Sequence, residues 1–162
     1  MNRPPTLDTI DPALLRQFDL FRSIKDTDAR VLARGFHRDT FRAGEHVFRE
    51  GDTGDRLYLI AEGAVRISQP LLGGAKEEAL AVLRKGQFFG DMSLIDARPR
   101  CADAIAHEDC TLYSIDRDAF TTLLQVNAAL AVDVLFQFMR SLCGRLRDNN
   151  EKIRAINTMA MW

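Results

Sequence analysis

Between Gly86 and Ala102 the chain reads GQFFGDMSLIDARPRCA, which gathers residue types able to hold an anion. Gly90 permits close approach of the backbone, and Asp91-Met92-Ser93-Leu94-Ile95 can form one short helix. The free N–H groups at such a helix start attract negative charge. Arg100, just after Pro99, offers a planar fork of donors suited to phosphate oxygens. A carboxylate beside an anion site, Asp91, fits a ligand that also presents hydroxyls. A sugar phosphate satisfies both features. A surface Arg–Asp ion pair on an irregular loop is the plainer alternative.

Other chemistries have little support. His37, His46 and His107 are scattered singly, with no HxH or HExxH, so no metal site is expected. No Ser-His-Asp or Cys-His arrangement stands out, and no catalytic residue or enzymatic role is expected. Cys101, Cys110 and Cys143 form no CxxC pair and leave one odd, which suits reduced thiols in a cytoplasmic protein. Cys101 reads as a small buried filler, with a reactive thiol beside Arg100 as the alternative. Lys+Arg 22 against Asp+Glu 23 gives a net charge of -1, so no basic field recruits nucleic acid. The longest uncharged stretch, Ala119 to Val132, is broken by Thr121, Thr122, Gln125 and Asn127 and is too short to span a bilayer. The N-terminus lacks the apolar run of a signal peptide. At 162 residues, 46% hydrophobic and 28% charged, one soluble domain with no membrane contact is expected over 1–162.

The elements that position the segment follow in three zones. Residues 11–35 read as helical, with Asp26 as a candidate N-cap and Gly35 as a stop. Residues 36–115 change to short runs punctuated by glycine: FHRDTF, HVF, RLYLIAE, AVRIS, EALAVL, ADAIAH and TLYSI. Gly44, Gly51, Gly63, the Gly73-Gly74 pair and Gly86 fall between them, the pattern of a sandwich or barrel. Residues 116–162 return to helix, from a cap at Asp116 to Asn127 and then over about 128–160.

The last helix carries a heptad seam. Ala128, Val132, Leu135, Met139, Leu142, Leu146, Asn149, Ile153, Ile156 and Ala160 step by alternating fours and threes. So narrow a seam suits a partner helix better than a globular core, and a homodimer through 128–160 is expected. Arg140, Arg145, Arg147, Lys152 and Arg154, interleaved with Asp148 and Glu151, read as the outer face of a coiled coil.

The segment from Phe89 to Ala102 closely resembles the phosphate-binding cassette of cyclic nucleotide-binding domains. That family includes catabolite activator-type regulators, kinase regulatory subunits and nucleotide-gated channels. Its pattern of Phe-Gly-Glu, a Leu, a short loop, then Arg, a small residue and Ala stands here as Phe89-Gly90-Asp91, Ser93-Leu94 and Arg100-Cys101-Ala102. Upstream, Phe41 to Asp52 resembles the family's first hairpin, and Leu57 to Gly63 its next strand and glycine turn. The likeness runs from about Leu20 to Ile153.

The resemblance implies a mainly β fold with flanking helices (α+β): an eight-stranded jelly-roll barrel, a short cassette helix and a long C-terminal dimerisation helix. It implies that Arg100 takes the exocyclic phosphate oxygens, with N–H groups near Gly90, Met92, Ser93 and Ala102. Asp91 stands where the family's Glu holds the ribose 2′-hydroxyl, about 1.5 Å shorter in reach. Leu80 and Ala81 are placed near the base, and Asn149 and Asn150 fall at base-capping positions. Cyclic AMP is the expected ligand and cyclic GMP a possible one, the thiol of Cys101 being a poor donor for guanine. The chain stops at Trp162, so no helix-turn-helix and no direct DNA binding are expected. The output would pass through the dimer helix or an unidentified partner protein. A ligand-free dimeric scaffold and a cyclic di-GMP sensor are the alternative readings.

Overall fold

The computed structural model describes residues 9–70 and 77–159. Asp11 caps α1 (Pro12–Leu15) by accepting from the Ala13 N–H at 2.8 Å, and Pro12 opens the helix where a missing N–H costs nothing. A 3-10 turn (Asp19–Phe21) and α2 (Asp26–Ala33) follow. Lys25, rather than Asp26, stands at the cap of α2 and gives it no side-chain bond; Asp26 is its first residue and pairs with Arg16 instead.

Eight strands form the expected barrel: β1 (His37–Phe41), β2 (His46–Phe48), β3 (Arg56–Glu62), β4 (Ala64–Pro70), β5 (Glu77–Arg84), β6 (Phe88–Phe89), β7 (Asp103–Ala106) and β8 (Cys110–Asp116). They make two antiparallel four-stranded sheets, in the orders β1-β8-β3-β6 and β2-β7-β4-β5. The two-residue β6 is too short to leave a periodic signal in the sequence. The Gly73-Gly74 turn lies outside the described residues.

Strand β3 shows how two cores share one wall. Its side chains alternate between faces, and five in succession are buried, Leu57 to Ala61. Leu57, Leu59 and Ala61 join the helices, together with Leu20, Phe21, Leu32, Phe36 and Phe120. Tyr58 and Ile60 point between the sheets and meet Phe89, Val65 and Leu112.

Helix α3 (Asp91–Asp96) interrupts the strands between β6 and β7. After β8, α4 (Arg117–Val126) starts at Asp116, whose carboxylate bonds the Arg56 Nε at 2.8 Å instead of capping the helix. Asn127 is extended and breaks the helix. Its Oδ1 accepts from the Leu130 N–H at 3.0 Å, and its amide donates to Asp28 on α2 at 2.7 Å.

Helix α5 (Ala128–Met159) has two apolar faces. Leu130, Val134 and Phe138 are buried on the chain's own core, with Phe138 against Phe88 and Phe120. The heptad residues Val132, Leu135, Met139, Leu142, Leu146, Ile153 and Ile156 are exposed on another face. Ala160, the last seam position, lies outside the described residues. No helix among the described residues is long and apolar enough to cross a membrane.

Candidate ligand-binding site

The cassette is held from both sides by backbone contacts. Gly90 caps α3 at φ 84°, a left-handed conformation, and a Cβ there would come within 2.8 Å of the Arg56 carbonyl and 2.9 Å of an Arg100 nitrogen. At Gly54 the chain passes so close beneath α3 that a Cβ would lie 2.0 Å from the Ser93 Cβ. Arg100 is paired to the β2–β3 connection, its N–H donating to the Asp52 carbonyl and its own carbonyl accepting from the Gly51 N–H, both at 2.8 Å. Ser93 Oγ donates to the Pro99 carbonyl at 3.3 Å, closing the loop across its base.

Arg100 is 4% exposed. Its Nη1 donates to the Gly90 carbonyl at 3.0 Å and its Nη2 to the Arg56 carbonyl at 2.8 Å. The guanidinium lies 4.1 Å from the centre of the Phe48 ring. Tyr58 stacks on Phe89 at 5.1 Å and lies 5.9 Å from the same cation. No carboxylate is within ion-pair distance of Arg100 among the described residues, and its buried Nε has no hydrogen-bond partner. Burial pushes the guanidinium below its usual value, while Tyr58 and Asp55 pull it back up. A buried cation without a counter-ion is the electrostatic demand that an anionic ligand meets.

Asp91, 1% exposed, is the first residue of α3 and forms an ion pair through Oδ2 with Arg145 of α5. Arg145 is steadied by Ser141 one turn earlier, at 3.1 Å. Oδ1 of Asp91 has no hydrogen bond among the described residues, which leaves it open to a hydroxyl. The partner of Asp91 is therefore Arg145, 54 residues away, and not Arg100.

The remaining expected residues divide into two groups. Phe89, Gly90, Asp91, Met92, Ser93, Arg100, Cys101 and Ala102 lie together in one loop-and-helix unit. Ser93 and Ala102 are buried; Met92 and Cys101 are exposed, their sulfurs 3.9 Å apart. Cys101 is thus a surface thiol, not a buried filler. Leu80 and Ala81 sit on β5, and Asn149 and Asn150 are exposed on α5 with no hydrogen bond to the cassette.

Two contacts overturn the expectation that the basic residues of α5 all face outward. Arg145 reaches Asp91, and the Lys152 ammonium donates to the Leu80 carbonyl of β5 at 2.8 Å. The two residues are seven apart and so share a helix face. That spacing was the one available signal. Arg117 was also missed: its guanidinium bonds the carbonyls of Gly54 and Ser93, tying α4 to the cassette.

Residues 38–127 match the cyclic nucleotide-binding domain family. The chain belongs to that family. It is 37% identical over 106 residues to the cyclic AMP receptor protein of Thermus thermophilus, covering 65% of this chain and 49% of that one. The solved catabolite activator protein of Thermus thermophilus superposes with a TM-score of 0.73 at 32% identity, covering 86% of this chain and 63% of that one. A cyclic nucleotide-binding domain from Methylobacillus flagellatus gives 0.75 at 26%, over 87% and 79% of the two chains. The chain spans about half the length of the curated Thermus relative. It is a cyclic nucleotide-binding regulatory domain on the jelly-roll fold of this family.

Proposed function

We propose that this domain senses cyclic AMP as a parallel homodimer and signals through α5 to a partner protein. The observation that carries the reading is Arg100, a buried guanidinium whose acceptors are carbonyls and whose Nε is unpartnered. A cyclic phosphate supplies the missing negative charge through charge-assisted bonds. The first-turn N–H groups of α3 and that of Ala102 complete its cradle. Asp91, fixed on one oxygen by Arg145, takes the ribose hydroxyl on the other. The name of the Thermus receptor supports cyclic AMP as the nucleotide.

The dimer follows from the exposed stripe of α5. Leu146 is 62% exposed, Ile153 55% and Ile156 62%, in heptad register on a face that the barrel leaves bare. An apolar stripe of this length, interrupted at Asn149, marks an interaction surface. Because Arg145 lies on the same helix, ligand at Asp91 and geometry at the seam are linked, and each must influence the other.

A thermal-shift comparison of cyclic AMP, cyclic GMP and cyclic di-GMP tests the reading. At one hundred times the dissociation constant a ligand stabilises by about 2.7 kcal/mol. That corresponds to a rise of roughly 2–8 °C for domains near this size. The reading expects the largest rise with cyclic AMP. No rise with any of the three contradicts it.

A further inference from the structure

We infer that Arg117 is a positioning residue for the ligand site: without touching the ligand, it fixes the spacing between α3 and Arg100 on which phosphate binding depends. The inference rests on the cyclic nucleotide reading and adds to that site a residue from outside the cassette.

The phosphate donors sit on two separate pieces of backbone. The first-turn N–H groups belong to α3, which is six residues long and has no side-chain cap. So short a helix does not hold itself in water. The Arg100 guanidinium hangs instead from the β2–β3 connection and the start of β3. Its Nη2 donates to the Arg56 carbonyl and its N–H to the Asp52 carbonyl, both at 2.8 Å. Arg100 itself joins the two pieces at the start of α3, through the Gly90 carbonyl. Farther along they meet at Gly54, where a Cβ would lie 2.0 Å from that of Ser93, so no side chain packs between them.

Arg117 spans this second junction. One nitrogen, Nη2, donates to both the Gly54 and the Ser93 carbonyls and so sets their separation. The residue is itself fixed: it opens α4, and its N–H donates to the Asp55 carbonyl at 2.7 Å. Its guanidinium forms no ion pair among the described residues, and its buried Nε has no hydrogen-bond partner. Helix N–H groups point to the helix start and carbonyls to its end. Arg117 therefore holds α3 from the side opposite the phosphate. The Gly54 carbonyl has no other donor among the described residues. Removing the guanidinium strands that carbonyl and frees α3 to shift against Arg100. The two sets of phosphate donors then converge less well, and the lost preorganisation weakens binding.

The test is calorimetric titration of cyclic AMP into the wild type, Arg117→Met, Arg117→Lys and Asp116→Ala, with denaturant unfolding of each. Arg117→Met keeps an apolar stem without a donor and is expected to bind about tenfold more weakly while folded. Arg117→Lys keeps the charge and donors on a shorter stem and is expected to lose about threefold. Asp116→Ala removes the ion pair with Arg56, a neighbouring tie of α4 that does not reach α3. It is expected to lower stability but to hold affinity within about twofold, which separates positioning from general loosening. Equal binding by the wild type and folded Arg117→Met, or an equal loss of affinity in Asp116→Ala, overturns this inference alone. If Arg117→Met does not fold, Arg117→Lys decides, and binding equal to the wild type overturns the inference. Failure of cyclic AMP to bind the wild type overturns the underlying reading as well.

Discussion

The two halves of α5 are held in different ways. Up to Phe138 the helix buries Leu130, Val134 and Phe138 in the core; beyond it, no residue of α5 is buried. The distal half is held to the barrel by Arg145 on Asp91 and Lys152 on a β5 carbonyl. Apolar burial is non-directional and independent of any ligand. The first of these polar contacts ends on Asp91 of the cassette and the second on the β5 carbonyl of Leu80, which the family resemblance places near the base. The proximal half is thus an anchor, and under the proposed function the distal half is the part that responds.

Substitutions can break this contrast, in order of expected size. Phe138→Ala removes the anchor, leaves a cavity beside Phe88 and Phe120, and should cost about 3–5 kcal/mol in denaturant unfolding. Leu146→Asp, in the distal half, should leave that chain's unfolding nearly unchanged as a monomer but abolish dimerisation. Light scattering should then fall from about twice the chain mass to 18.3 kDa. The smallest effect separates the partners of the distal ion pair. Arg145→Met strands the buried carboxylate of Asp91, whereas Asp91→Ala leaves Arg145, 43% exposed, free to turn to water. Arg145→Met should therefore be the less stable variant by about 1–3 kcal/mol in the same assay.

What the sequence made legible was local. Glycines between short apolar runs mark the barrel, and the cassette lies within seventeen consecutive positions, Gly86 to Ala102. The tethers carry no such mark. Arg145 and Asp91 are 54 residues apart, and Lys152 and Leu80 are 72 apart. On a heptad background, basic residues at these positions look like ordinary coiled-coil flanks. Only the packing of Leu130, Val134 and Phe138 sets the rotation that turns Arg145 and Lys152 inward. Asp116 shows the same limit at short range: its sequence position is that of a cap, but Arg56 across the sheet takes its carboxylate.

The central claim is that Arg100 is buried to receive a phosphate. Calorimetric titration of cyclic AMP into the wild type and Arg100→Leu tests it directly. Losing one side of a buried charge pair costs about 2–5 kcal/mol, so the variant should bind at least about thirtyfold more weakly, with far-UV dichroism unchanged. Equal binding by the two proteins would contradict the account.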